Sequence, residues 1–443
     1  MPTASTGCFP LMDSIPLQTN GKRVVPRPAQ NGKLLKFPGA FLWGTATSST
    51  QTEGHVDNEW TDFVARDGNT CSIACNSYHQ YAEDIQWMRQ LGVNTYRMGI
   101  EWSRLQSKAQ GPLNQAELAR YVDQLDQLKA AGIVPMVVLH HFSNPTWINA
   151  IGGWTNAATI PAFVDYVTKL VASLRDRVRI WNTFNEPDTY ASCGYLIGEF
   201  PPLNKGRLHS YRNVICHMAA AHERVCRIIR EAGSSLGNVE VGFSKNWTYF
   251  QPYRKASPWD ALMAAFIHAQ LNSLVMNRFL GGKRKAASTY LGVNYYGRIR
   301  FKNLMPLVPT FGFSFEELTR MGVECDDMLE RYPQGLESAL REMYRRCHLP
   351  IYITEHGSSS ADEAFRERDL KENLVALHRA IDGGIDVRGF YYWSLLDNFE
   401  WQFGYSKKFG LLSVDFNDQQ RSRRMKPLAY IYQKVCLENS MGC

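Results

Sequence analysis

Short runs of β-branched and aromatic residues recur along most of the chain, and amphipathic stretches separate them. Runs of this kind predict β-strands, and apolar residues three and four positions apart predict helices. In the segment 76–92, for example, Tyr81, Ile85 and Met88 share one helical face and Gly92 ends the helix. Further helices are predicted over 114–132 and 367–384, and strands over 41–47, 94–100, 134–142, 178–184, 239–244, 290–296, 350–357 and 387–395.

Alternation of strands and helices is typical of βα units around a parallel sheet, and eight such strands close a barrel. No internal repeat, low-complexity tract or linker divides residues 37–443. The predicted fold class is therefore α/β, with a single (β/α)8 TIM-barrel domain over 37–443. Residues 1–36 are rich in Pro, Asn, Gln and Lys and lack periodicity, so they predict a flexible N-terminal arm.

Composition restricts the class of protein. The chain has 443 residues, of which 44% are apolar and 12% aromatic, enough for a large core and too many for disorder. The apolar runs fall short of the roughly 18 residues that a membrane helix needs, so no membrane span is expected. The first 36 residues lack the apolar stretch of an export signal. We therefore expect a cytoplasmic protein with reduced cysteines.

The net charge of +7 comes partly from two basic runs, residues 281–285 and 421–426. Neither run is interleaved with aromatic residues or set in a nucleic-acid-binding motif, so solvated loops are the favoured interpretation. Nucleic acid is not expected as a partner. Ligand clusters with zinc or calcium spacing are lacking in the sequence, and no metal or organic cofactor is expected.

The carboxyl ends of barrel strands build the active site, so the polar residues at those ends are the candidates for chemistry. Each one alone is often a satisfied strand-end group, and the prediction rests on the whole set. The set comprises Gln51, Glu53, Arg97, Glu101, His140, His141, Asn185, Glu186, Asn294, Tyr296, Glu355, His356, Trp393, Asp397 and Asn398.

Two glutamates, Glu186 and Glu355, stand at the ends of the fourth and seventh predicted strands and face one mouth if the barrel closes. Cleavage of a glycosidic bond needs such a pair, since one carboxyl donates a proton to the leaving oxygen and the other attacks or activates water. The donor needs a raised pKa, whereas the nucleophile must stay ionised. Arg97 and the Tyr296 hydroxyl are the expected partners of the ionised group.

Seven motifs together resemble those of glycoside hydrolase family 1, the family of β-glucosidases and related retaining enzymes. The resemblance covers essentially residues 37–436. The motifs are TFNEP (183–187), ITEHG (353–357), FLWGTATSSTQTEG (41–54), YRMGIEWSRL (96–105), HFSNPTW (141–147), GVNYY (292–296) and YYWSLLDNFEWQFGYSKKFGLLSVD (391–415).

The resemblance implies a role for each matching position. It implies that Glu186 is the acid/base and Glu355 the nucleophile of a retaining enzyme, with carboxyl groups about 5 to 5.5 Å apart. It also implies that Trp393 stacks on the sugar ring, and that Asn294, Tyr296 and Arg97 position Glu355. The residues expected to bond the sugar hydroxyls are Gln51, His141, Asn185, Glu400 and Trp401.

Two departures from the family pattern bear on function. His356 stands where the family commonly has Asn, one residue past Glu355, and is expected to point away from it. The loops 248–288 and 297–334 are shorter than usual, so the aglycone is not predicted. The expected substrate is a small-molecule β-glycoside or oligosaccharide, with β-glucosides first and β-galactosides and β-fucosides as side substrates.

Three alternatives stay open beside a hydrolytic β-glucosidase. A transglycosylase would use the same covalent intermediate and deliver it to a sugar or lipid hydroxyl. A 6-phospho-β-glycosidase is disfavoured because Glu400 would repel a phosphate. A non-catalytic sugar-binding barrel would normally lack one carboxylate, and both are present here. The oligomeric state is not predicted.

Overall fold

A computed structural model describes residues 34–109, 111–282, 287–302, 315–320, 322–326 and 328–442. Residues 1–33, most of the predicted arm, lie outside the described residues. Within the described residues the strands are β1 (Leu34–Lys36), β2 (Leu42–Ala46), β3 (Thr95–Gly99), β4 (Val134–Val138), β5 (Ile180–Asn185), β6 (Glu240–Asn246), β7 (Tyr249–Pro252), β8 (Leu291–Asn294), β9 (Arg298–Phe301), β10 (Ile351–His356), β11 (Val387–Trp393), β12 (Leu412–Val414), β13 (Arg423–Met425) and β14 (Ser440–Gly442).

Helices alternate with these strands over the same described ranges. They are α1 (Ser49–Thr52), α2 (Ser77–Gln90), α3 (Trp102–Leu105), α4 (Gln115–Ala130), α5 (Thr146–Ala150), α6 (Thr159–Leu174), α7 (Pro187–Ser192), α8 (Leu208–Ala232), α9 (Pro258–His268), α10 (Leu274–Leu280), α11 (Phe315–Arg320), α12 (Pro333–Cys347), α13 (Glu363–Asp382) and α14 (Pro427–Glu438). Single π-helical turns cover Cys193–Ile197 and Ala269–Ser273.

Eight strands close a barrel in the order β2, β3, β4, β5, β6, β8, β10, β11, and each neighbouring pair is parallel. This confirms the predicted (β/α)8 TIM barrel. Each of the eight predicted strands overlaps one barrel strand. The boundaries differ most at β4, which ends at Val138 rather than at residue 142, so His140 and His141 lie in the loop beyond it.

Local signals explain where the helices start. Helix α4 begins after Asn114, whose Oδ1 accepts hydrogen bonds from the backbone N–H groups of Ala116 and Glu117. Helix α13 begins at Glu363 rather than at the predicted 367, because Asp362 caps it and accepts from the Ala364 N–H at 2.9 Å. A side-chain cap therefore extended this helix by one turn.

The first described strand ties the two ends of the described chain together. Strand β1 pairs antiparallel with β14, with Leu35 opposite Met441. The Asn439 side chain, just before β14, accepts from Trp43 Nε1 at 2.9 Å. The last three residues of the predicted arm, 34–36, are therefore part of a sheet.

Two apolar layers surround the barrel wall. Inside it, Met136, Ile180, Tyr290, Tyr352 and Tyr391 fill the space between the strands. A larger layer between strands and helices is rich in aromatic rings. Because the interior is packed, the site is expected at the carboxyl ends of the strands rather than inside the barrel. In the described part of the chain, no helix is both long and apolar enough to cross a bilayer.

The packing of α6 against the barrel offers a test of the fold. Leu170 is fully buried on α6, so Leu170→Ala is expected to lower the free energy of unfolding by about 2 to 5 kcal/mol. Ser173→Ala, at an exposed position of the same helix, should change it by less than about 0.5 kcal/mol. Chemical denaturation followed by tryptophan fluorescence measures both, and equal effects would contradict the packing described here.

Candidate active site

The two glutamates singled out from the sequence meet at the mouth of the barrel. Glu186 directly follows β5, and Glu355 lies near the end of β10. Both are buried. Glu186 adopts the left-handed conformation with φ 38°, which is uncommon for a residue other than glycine, and it precedes the first residue of α7. The strand therefore turns sharply into a helix at this carboxyl group.

Glu355 is held by charged and neutral donors. Arg97 Nη1 donates to its Oε1 at 2.6 Å, and the Tyr296 hydroxyl donates to its Oε2 at 2.7 Å. Burial raises the pKa of Glu355, while the Arg97 guanidinium and the Tyr296 hydroxyl oppose that rise. A carboxyl group that pairs with a guanidinium and accepts from a phenol is in the setting of a carboxylate.

Glu186 has a different environment, because its described hydrogen-bond partners are the uncharged side chains of Asn294, Asn246 and Thr189. Asn294 Nδ2 donates to Oε1 at 2.7 Å, and Asn246 Nδ2 donates to Oε2 at 3.2 Å. Burial, followed by the negative charges of Glu355 and Asp188, raises the pKa of Glu186 to about 8. The two carboxyl groups are thus unlike, and Glu186 holds its proton at neutral pH.

Asn185 and His141 complete the wall beside these carboxyls. Asn185 Oδ1 accepts from Arg97 Nη2 at 2.6 Å and from Asn294 Nδ2 at 3.0 Å, and its own amide lies 3.0 Å from His141 Nε2. Burial, and then the Arg97 charge, lower the pKa of His141 well below its ordinary value. The imidazole is therefore neutral.

A second group of predicted residues lines the opposite side of the mouth. Gln51 Nε2 donates to the Phe399 carbonyl at 2.9 Å and to Glu400 Oε2 at 3.3 Å. Burial and the charges of Glu355 and Glu186 raise the pKa of Glu400 to about 8. The His141 ring stacks on Trp393 and on Trp401, at centroid distances of 5.7 and 6.0 Å.

The eleven predicted site residues lie in one contact network, which a hydrogen bond between Trp393 and Glu400 completes. It contains Gln51, Arg97, His141, Asn185, Glu186, Asn294, Tyr296, Glu355, Trp393, Glu400 and Trp401. Its members offer hydroxyl-bonding groups next to flat aromatic surfaces. Such a combination suits a sugar, which has a polar rim and an apolar face.

Several strand-end residues have structural partners instead. His140 points the other way from His141 and contacts Trp154 and Asn144. Glu101 accepts from Ser49 and Ser103, and Arg104 pairs with Glu53 at 2.8 Å.

His356 and the residues after β11 have structural partners too. His356 points away from the pocket, with Nδ1 2.8 Å from the Tyr295 carbonyl. Asp397 accepts from the Lys426 ammonium at 2.6 Å, whereas Asn398 Oδ1 accepts from the amide of Gln51 at 3.1 Å.

Sequence reasoning missed the end of β6. The predicted strand stopped at residue 244, but β6 continues through Lys245 to Asn246, whose amide contacts Glu186. Asn246 is a polar residue at a strand end, so the signal used for the other strands would have found it had the boundary been placed two residues later.

A closed (β/α)8 barrel with unlike carboxyl groups at its carboxyl end is the class of site that glycoside hydrolysis uses. The model of glycosyl hydrolase family 1 matches residues 34–283 and 282–441. The chain belongs to this family and is an enzyme that hydrolyses O-glycosidic bonds. This confirms the resemblance seen in the motifs.

Individual relatives are similar over almost their full length. Beta-glucosidase A of Thermotoga maritima is 31% identical, with 92% of this chain and 99% of the relative covered. Beta-glucosidase 13 of Arabidopsis thaliana is 30% identical, with 98% and 99% covered. Among solved structures, a beta-glycosidase from Pyrococcus horikoshii superposes with a TM-score of 0.80 at 32% identity, over 92% of this chain and 96% of that chain.

The unlike environments of the two glutamates predict a titration. Glu186 should keep its proton up to about pH 8 and lose it above. Glu355→Gln removes a neighbouring negative charge, so the pKa of Glu186 should fall, although burial still keeps it above that of a free glutamate. Carbon NMR of glutamate-labelled protein measures this, with Glu186→Gln to assign the signal. Glu400 is also expected to titrate near pH 8, so Glu400→Gln assigns its signal separately. If Glu186→Gln removes no high-pH signal, the assignment of Glu186 is wrong.

Proposed function

We propose that the chain is a retaining β-glycosidase that removes terminal β-linked glucose from small glycosides or oligosaccharides, with β-galactosides and β-fucosides as side substrates. Glu186 is the acid/base and Glu355 the nucleophile. The observation that supports these roles is the difference between the two carboxyl groups: Glu355 is ion-paired with Arg97, whereas the described hydrogen-bond partners of Glu186 are uncharged. The names of the relatives given above support glucose as the sugar.

In the first step a Glu355 oxygen attacks the anomeric carbon while Glu186 donates its proton to the glycosidic oxygen. The bond between that carbon and oxygen breaks, the aglycone leaves as an alcohol, and a glycosyl ester forms on Glu355. In the second step the Glu186 carboxylate takes a proton from water, the water oxygen attacks the anomeric carbon, and Glu355 leaves as a carboxylate. Two displacements retain the anomeric configuration.

Electrostatic coupling suits Glu186 to both steps. The negative charge of Glu355 is one of the causes that raise the pKa of Glu186. Formation of the ester removes that charge, so the pKa of Glu186 falls once the intermediate exists. With the lower pKa, Glu186 stays ionised at neutral pH after it has given up its proton, so it can act as the base toward water.

The sugar itself is proposed to lie against Trp393, with its hydroxyls bonded by Gln51, His141, Asn185, Glu400 and Trp401. His141 Nδ1 is buried and has no hydrogen-bond partner among the described residues, as expected of an atom that bonds a ligand hydroxyl. Tyr296 and Asn294 hold the two carboxyl groups in place. The carboxyl separation of about 5 to 5.5 Å that retention requires remains a prediction.

A mechanism-based label tests the nucleophile. A 2-deoxy-2-fluoro β-glucoside with a good leaving group should form a stable ester on Glu355, because the fluorine slows the second displacement more than the first. Peptide mass spectrometry locates the adduct, and NMR of an ordinary substrate gives the configuration of the first-formed sugar. An adduct on another residue, or an inverted product, would overturn the proposal.

Removal of the acid/base gives a second test. Glu186→Ala should lower kcat/KM on substrates with poor leaving groups by about 100-fold or more and spare formation of the intermediate from activated aryl glycosides. Azide, which needs no general base, should then restore turnover and yield a β-glycosyl azide. The wild-type enzyme serves as control and should gain little from azide. If azide has no effect on the variant, the assignment of Glu186 is wrong.

A further inference from the structure

Three consecutive residues at the end of β6 contact the segment that carries Glu186. The Ser244 carbonyl accepts from the Glu186 backbone N–H at 2.9 Å. Lys245 Nζ donates to Asp188 Oδ2 at 2.8 Å. Asn246 Nδ2 donates to Glu186 Oε2 at 3.2 Å and to Thr189 Oγ1 at 3.1 Å. We call Ser244, Lys245 and Asn246 the β6 clamp.

Lys245 is the unusual member of the β6 clamp. Side chains alternate along a strand, so Ser244 and Asn246 face the pocket while Lys245 points into the layer between the barrel and the helices. Its side chain is 0% exposed there. A buried ammonium is strongly unfavourable unless each of its donors is paired.

All three donors of this ammonium have acceptors on different elements. Besides Asp188 on α7, Nζ donates to the Asn246 carbonyl and to Asn272 Oδ1 at 3.0 Å. Asn272 lies in the π-helical turn 269–273 and is itself held by the Thr248 carbonyl at 3.0 Å. Lys245 thus joins α7, the end of β6 and the turn after α9 at one point.

Glu186 depends on this junction because its backbone is strained. A residue other than glycine at φ 38° persists only where the surroundings hold it. The β6 clamp bonds the chain at Glu186, Asp188 and Thr189, that is, at the strained residue and at two positions just after it. Loss of the ammonium would free both the first turn of α7 and the Asn246 backbone whose side chain bonds Glu186.

We propose that Lys245, paired with Asp188, is a positioning residue for the acid/base Glu186 and acts specifically on its proton transfer. This rests on the proposed function of Glu186. The inference follows from the contacts of the ammonium on both sides of Glu186, through Asp188 and through Asn246. Lys245 does not touch the carboxyl group itself and acts through these two neighbours.

The charge of Asp188 adds an electrostatic consequence, since it is among the causes that raise the pKa of Glu186. Other charged or titratable groups lie around Glu186 on the remaining elements of the site. They are Arg97 on β3, His141 after β4, Cys193 after α7, Lys245 on β6, Tyr296 after β8, Glu355 on β10 and Glu400 after β11.

The test compares substrates that differ in their need for a proton. In Lys245→Met, kcat/KM for methyl β-glucoside should fall about 10- to 100-fold, a part of what general acid catalysis typically supplies. For 2,4-dinitrophenyl β-glucoside, whose leaving group needs no proton, it should change by less than about threefold. Asp188→Asn should show the same selectivity. It should also move the basic limb of the pH profile to lower pH, because a more acidic Glu186 loses its proton earlier.

A matched control separates positioning from stability. Asp84→Asn breaks another buried ion pair, with Arg423 at 2.9 Å, on α2 and outside the network of site residues. It should lower the melting temperature and leave the leaving-group selectivity and the pH profile unchanged. If Lys245→Met or Asp188→Asn behaves in the same way, with equal losses on both substrates, Lys245 is only structural and the proposal is overturned.

Two further measurements cover variants that fail to fold and test the proposed function separately from the role of Lys245. If the ion-pair variants do not fold, Asn272→Ala removes one acceptor of the ammonium and keeps both charges; it should show the same selectivity to a smaller degree, and no selectivity would contradict the proposal. The fluoro-glucoside label on wild-type Glu355 tests the proposed function separately. A correct label without selectivity in the variants overturns the β6 clamp alone, whereas a label elsewhere overturns both.

Discussion

The pocket is organised around the buried guanidinium of Arg97. It projects from β3 and donates to Glu355 on β10, to Asn185 on β5 and to Ser244 on β6, at 2.6, 2.6 and 3.2 Å. Burial of a charge in a low-dielectric interior costs free energy that hydrogen-bond acceptors must offset, and here the acceptors come from three other strands. The guanidinium therefore sets the relative position of the strand ends, and the remaining contacts of the site follow from it.

The same cation creates the chemical difference between the two glutamates. Arg97 contacts Glu355 directly, whereas Glu186 is bonded by the neutral amides of Asn294 and Asn246. Once Glu355 is ionised, its charge favours the protonated form of Glu186. One ion pair thus gives two glutamates different protonation states, so that one suits the role of proton donor and the other that of nucleophile.

A local irregularity brings Asn185 into the pocket. The register of β5 against β6 shifts between Asn182 and Asn185. As a result Thr183 and Phe184 both point toward the helices, Thr183 to His222 on α8 and Phe184 to the ring of Phe163 on α6. Strict alternation would have turned Asn185 away from Arg97. The extra residue in this stretch allows consecutive residues, Asn185 and Glu186, to serve the same site.

Much of the fold and site could be read from the sequence, because strands and helices have different apolar periods and barrel strands end in polar residues. These patterns placed the eight strands and named Glu186, Glu355, Arg97 and Tyr296 as candidates. Strand boundaries were less certain, as at β4 and β6, since backbone pairing rather than composition decides where a strand stops. The pairing of Arg97 with Glu355 was predicted, but only the tertiary structure decided that Arg104 pairs with Glu53 and that Lys245 pairs with Asp188. These partners are distant in sequence, and their pairing depends on barrel closure and on the low dielectric of the interior, neither of which a local pattern contains.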